Sequence, residues 1–126
     1  SLIDVDDTKF DWKNFANFKL SETLIFVKNG ELILDGKLDI SIKKSNEIYK
    51  YLITPKKYRK VIKKINLNFS YNIDQKTIDL NNIRIDDKII NSVNEIMSNI
   101  AFKNTNLQNK IYLRKMINEA IKAYVG

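Results

Sequence analysis

Apolar and polar residues alternate along most of the first two thirds of the chain, and that period of two predicts extended strands. The first clear strand runs over 18–28, with Phe18, Leu20, Leu24 and Phe26 on one face and Ile25 and Val27 on the other. Asn29-Gly30 follows, a pair that tolerates positive φ and predicts a tight hairpin turn. A second strand is expected over 31–43. Its even positions Leu32, Leu34, Leu38, Ile40 and Ile42 face one way, and its odd positions are mostly charged or polar. Gly36 breaks the apolar row and marks a bulge or a close backbone approach. The cleanest alternation comes later. Ile65, Leu67, Phe69, Tyr71 and Ile73 interleave with Asn66, Asn68, Ser70 and Asn72. Asp74-Gln75 reads as the turn to a partner strand over 77–86. There Ile78 and Leu80 share one parity and Ile83 and Ile85 the other, so a β-bulge is expected at Asn81-Asn82. Before residue 18 the pattern is weak, apart from an aromatic group at Phe10, Trp12, Phe15 and Phe18.

Spacings of three and four residues mark helices. Ser45 can cap a short helix that buries Ile48, Tyr49, Leu52 and Ile53. Thr54-Pro55 reads as a cap followed by a proline in the first turn of a second short helix, over 55–62. Asp86 or Asp87 can cap a third helix, with Ile89, Ile90, Val93, Ile96, Met97 and Ile100 on one face. After a loop at 104–106, a longer helix over 107–124 stacks Leu113, Met116, Ile117, Ala120, Ile121 and Tyr124 in one stripe. The order predicts a single α+β domain over 1–126: an antiparallel curved β-sheet of at least four strands, a helical excursion and two C-terminal amphipathic helices. First strands occupy 1–43, the excursion 44–64, a second hairpin 65–86 and the helices 87–126.

Charge is unevenly placed. Residues 43–64 carry nine basic residues against Glu47, a net +8, whereas 1–42 sum to −3 and 65–126 to +2. The whole net charge of +7 therefore lies in the excursion. Lys56, Lys57, Arg59, Lys60, Lys63 and Lys64 are the candidate contacts for an anionic head group or membrane surface. The plain alternative is a solvated face, in a chain whose wealth of Ile, Lys and Asn points to an A/T-rich genome. With 19 Lys against 3 Arg, the bidentate fork favoured at nucleic-acid surfaces is scarce.

The chain has no Cys and no His. Thiol nucleophiles, thiolate zinc sites, imidazole bases and a Ser-His-Asp triad are thereby excluded. Three glycines build neither a dinucleotide fingerprint nor a phosphate loop. The acid cluster Asp4, Asp6, Asp7 and Asp11 lacks the spacing of a calcium loop. A binding or structural domain is expected, with no enzyme activity, metal or cofactor. The unbroken apolar face of the third strand must be covered by the C-terminal helices or, in part, by an apolar ligand. Leu67, Phe69 and Tyr71 are its candidate apolar wall.

The segment Gly30-Glu31-Leu32-Ile33-Leu34-Asp35-Gly36-Lys37-Leu38-Asp39-Ile40-Ser41-Ile42 resembles the strands of AsmA-like proteins. So do the later hairpin, from Ile65-Asn66-Leu67-Asn68-Phe69-Ser70-Tyr71-Asn72 into Ile83-Arg84-Ile85-Asp86, and the tail Asn118-Glu119-Ala120-Ile121-Lys122-Ala123-Tyr124. The resemblance covers most of 18–126 and rests on strand pattern more than on invariant residues. It implies the C-terminal portion of a periplasmic, inner-membrane-anchored protein with an apolar groove, acting in phospholipid transport or outer-membrane biogenesis without catalytic residues. Phospholipid or an anionic membrane surface, and other envelope proteins, are the partners it implies. Two alternatives stay open: a nucleic-acid-binding module using 43–64, and a protein-interaction domain that adds a strand at an exposed sheet edge.

Overall fold

The computed structural model describes residues 2–98, 100–101 and 106–126, with only the backbone of residue 106. Its centre is a curved antiparallel sheet of four long strands, β3 (Ala16–Lys28), β4 (Glu31–Ile42), β5 (Lys64–Asn72) and β6 (Thr77–Ile85). Four short strands extend it to eight. β1 (Leu2–Val5) and β2 (Thr8–Trp12) both lie along the outer edge of β3, and β7 (Lys88–Ile89) and β8 (Ile100–Ala101) pair with opposite ends of β6. Three helices complete the described chain: α1 (Ser45–Leu52), α2 (Asn91–Met97) and α3 (Asn106–Val125). The α+β architecture is thus the one expected from the alternation.

Two bulges keep most apolar residues of the long strands on one face. On β3, Glu22 and Thr23 stand opposite Gly36, and Glu22 takes a left-handed φ of 51°. The slip turns Ile25 and Val27 to the face shared by Phe18 and Leu20, because they pair with Leu34 and Leu32 while Phe18 and Leu20 pair with Ile40 and Leu38. Leu24 and Phe26 therefore point the other way, which corrects the grouping expected from simple alternation. On β6 the bulge falls at Asn82, φ 50°, as the phase slip predicted. Gly36 admits the ring of Phe69, since a Cβ there would lie 2.7 Å from the ring's Cζ.

The connections depart further from expectation. Lys44, not Ser45, occupies the N-cap of α1, and no side chain caps it. Ile53 ends that helix in the left-handed region at φ 57°, 67% exposed instead of buried. A β-branched residue is strained there, where Gly or Asn is usual. The expected helix over 55–62 is a single 3-10 turn, Lys56–Tyr58, preceded by Pro55. Thr54 caps nothing. Its hydroxyl donates to Asn118 Oδ1 at 2.7 Å, and the residue is 1% exposed. Asp86-Asp87 caps no helix either. Both residues have positive φ and form the two-residue turn between β6 and β7, the geometry of a primed hairpin. Ile89 consequently lies in β7, exposed, and Ile100 in β8, buried. Of the loop expected at 104–106, residue 106 instead begins α3, and 104–105 lie outside the described residues.

The core lies between the concave face and the helices. Leu67, Ile83, Ile85, Val93, Met97, Ile100, Ala120, Ile121 and Tyr124 form one buried cluster with Tyr49 and Ile62. The stripe expected on the last helix packs as predicted, with Leu113, Met116 and Ile117 half-buried against that cluster. Asn94 on α2 braces the β6 bulge: its Oδ1 accepts from the Ile83 amide at 2.8 Å.

Candidate functional site

The core holds an apolar cavity. A cavity of about 340 Å³ lies between the concave face, α1 and α3. Except for Ser45, every residue around it is apolar or aromatic, including Phe18, Ile40, Leu67, Ile85, Ile121 and Tyr124. Its size falls at the lower end of ligand pockets. The lining explains its shape. Tyr49, Ile62, Ile85, Ile121 and Tyr124 are buried, whereas Trp12, Phe18, Ser45, Ile48 and Leu52 keep part of their surface in solvent. The partly exposed lining residues gather mainly on β2, β3, β4 and α1, so the cavity opens on that side and is closed where Tyr49, Ile62 and Tyr124 are buried beneath the 3-10 turn.

The open end is aromatic and cationic. The ring of Trp12 meets Tyr51 edge-on at 5.0 Å and Phe15 at 5.5 Å. The Arg114 guanidinium lies 5.9 Å from the Tyr51 ring centre, and Lys13 Nζ 5.6 Å from that of Phe15. The Phe15 carbonyl accepts the amides of Lys43 and Lys44 at 2.7 and 3.1 Å, which ties the backbone at the start of the basic excursion to that of Phe15. Among the described residues, none of these four cations is in an ion pair.

The closed end carries the segment singled out by its charge. Lys56, Lys57, Lys60, Lys63 and Lys64 are exposed, as a solvated face requires. Their side chains are nonetheless engaged in part. Lys57 lies 5.0 Å from the Tyr58 ring centre, Lys60 lies 4.8 Å from that of Tyr124, and Lys64 pairs with Asp87 at 3.0 Å. Arg59 is half-buried and structural in its contacts: Nε donates to the Thr54 carbonyl at 2.9 Å and Nη1 to Asn46 at 3.4 Å. Asp86 accepts the Lys63 and Lys64 amides at 3.0 and 2.9 Å and anchors the return into β5. Tyr49 donates its hydroxyl to the Lys60 carbonyl. Burial, with Tyr124 and Asp86 adding to it, pushes the Tyr49 hydroxyl up from 10.0 to about 12.

The three residues of the expected apolar wall share the concave face but not one site. Leu67 is buried and lines the cavity. Phe69 packs over Gly36, and Tyr71 pairs with Leu34. Sequence reading missed Arg114, Lys13 and Asn118. Asn118 joins α3 to the end of α1, donating Nδ2 to the Leu52 carbonyl at 2.8 Å while accepting from Thr54.

No helix among the described residues is long and apolar enough to cross a membrane, and no cluster of acidic side chains there could hold a metal ion. No protein-family model matches the chain, and neither a curated protein nor a solved structure matches it significantly.

Proposed function

We propose that this domain handles lipid at the cell envelope: a non-enzymatic, AsmA-like unit of the periplasmic phospholipid-transport or outer-membrane-assembly kind, which shelters an acyl chain in its apolar cavity. The cavity carries the reading. An apolar cavity of about 340 Å³ left empty or filled with water forfeits the packing and burial that its lining could make. An acyl chain supplies that packing and gains about 0.8 kcal/mol for each methylene taken out of water. The basic loop over 56–64 supports the reading as a surface that draws the domain to anionic membranes. Native mass spectrometry of the purified protein, before and after incubation with phospholipid vesicles, tests it. Adducts of phospholipid mass are expected. A bare chain under both conditions would remove the lipid function.

A further inference from the structure

Two groups of cations border the core, and only one stands where the cavity opens. We infer that an anionic phospholipid enters tail-first between β2 and α1 and leaves its phosphate at the mouth, held by Lys13, Lys43, Lys44 and Arg114. This rests on the lipid reading above and adds to it the direction of entry, the charge of the head group and its partners. The dense loop over 56–64 lies behind the closed end: it contributes buried Ile62 to the lining, and none of its cations lines the void.

Three observations converge on the mouth. First, the four cations come from three separate parts of the chain: Lys13 and Arg114 lie over Phe15 and Tyr51, rings linked through Trp12, and the Lys43 and Lys44 backbones are tied to Phe15. Aromatic rings with one apolar and one polar side suit the depth of lipid head groups. Second, no carboxylate among the described residues neutralises these cations in an ion pair, whereas Lys64 in the other group is paired. A phosphate is the complementary charge, and Arg114 presents the planar donor set that binds it in two-pronged fashion. Third, α3 continues outward past the mouth with an apolar stripe. Leu107 and Ile111 precede Arg114 at helical spacing on the face that contacts Tyr51, and they are 68% and 58% exposed. Exposed apolar side chains beside unpaired cations are what a helix needs to rest in the interface of an anionic bilayer. The stripe would then set the mouth against the surface from which the lipid comes.

Trp12 is the only tryptophan in the chain and sits at this mouth, so its fluorescence reports the event directly. The test titrates the protein with vesicles of phosphatidylglycerol mixed with phosphatidylcholine brominated on its acyl chains, and reads the quenching of Trp12. The expected result is strong quenching with the mixed vesicles and little with brominated phosphatidylcholine alone. Changing Lys13→Gln, Lys44→Gln and Arg114→Gln together should weaken it on the order of 100-fold, at about a tenfold step for each 1.4 kcal/mol and roughly 1 kcal/mol for each basic residue at the surface. Changing Lys56→Gln, Lys57→Gln and Lys60→Gln together removes only long-range attraction, which salt at about 0.15 M screens beyond about 8 Å, and at that salt should cost clearly less. Arg114→Lys keeps the charge and should retain most of the quenching, and an unchanged melting curve verifies that each variant is folded. If the loop variant loses quenching and the mouth variant keeps it, the head group sits at the loop and this inference falls while the lipid reading stands. Lipid adducts by mass without quenching of Trp12 would overturn it in the same way. Absence of both adducts and quenching would overturn the lipid reading along with it.

Discussion

The two cationic regions of this domain differ in how the chain makes them. The loop over 56–64 is dense in sequence, with six of nine residues basic, yet the fold uses much of it for anchoring. Arg59 ties the turn to Thr54 and Asn46, Lys64 meets Asp87, and the Lys63 and Lys64 amides are taken by Asp86. The mouth is sparse in sequence. Its cations stand at positions 13, 43, 44 and 114, and only the fold gathers them. Linear charge density therefore marks a surface attractive to anions at long range, while a site for one anion needs cations that converge on a cavity.

That contrast can be strained first at the clasp between the two regions. Asn118→Leu removes both the acceptor of Thr54 and the donor to Leu52, leaving buried polar atoms unmatched at about 1–3 kcal/mol each. A loss of about 3 kcal/mol in urea unfolding is expected, larger than for any single lysine of the loop. Next comes the division within the loop itself. Arg59→Gln should cost about 1–2 kcal/mol through the freed Thr54 carbonyl, whereas Lys56→Gln should stay within about 0.5 kcal/mol. Equal effects would erase the distinction between anchoring and solvated charges.

The smallest effect is read by pH. The Tyr49 hydroxyl titrates higher when folded, so the stability it contributes is fully present below pH 10.0 and is lost as the pH climbs towards about 12. Tyr49→Phe lacks this ionisation. Over that window its unfolding midpoint should fall less steeply than the parent's, and parallel curves would show that Tyr49 is not confined beneath the loop.

Strands were legible in the sequence where one face is buried and the other wet, because period two then records the packing directly. The bulge at Asn82 was legible too, since the apolar phase shifts visibly from Leu80 to Ile83. Its counterpart at Glu22 was not. Apolar residues occupy both parities from Leu24 to Val27, so the pattern could not say which pair faces inward. β1 and β2 escaped notice for a related reason: they are strands of four and five residues on the sheet's edge, mostly exposed on both faces, too short for a pattern to stand out. Asp86-Asp87 was misread as a cap because acids suit both helix starts and left-handed turns, and only the pairing of Ile85 with Lys88 decides between them. The candidate site was half legible. Leu67 and the inward stripe of α3 followed from periodicity, but the void among them did not, since its volume is set by how α1 and α3 settle over the sheet.

The central claim is that this void is real and is the place of the acyl chain, and Ala120→Leu tests it most directly. Ala120 is buried on α3 and lines the cavity, and leucine is nearly as good a helix former as alanine. In a filled core the added carbons would be overpacked and destabilise the domain by about 1–3 kcal/mol. In the cavity they occupy space that the lipid would use. Thermal unfolding of the lipid-free protein, measured with phospholipid uptake on the same sample, should show an unchanged or raised midpoint and a clear fall in uptake. A lowered midpoint with uptake intact would contradict the account.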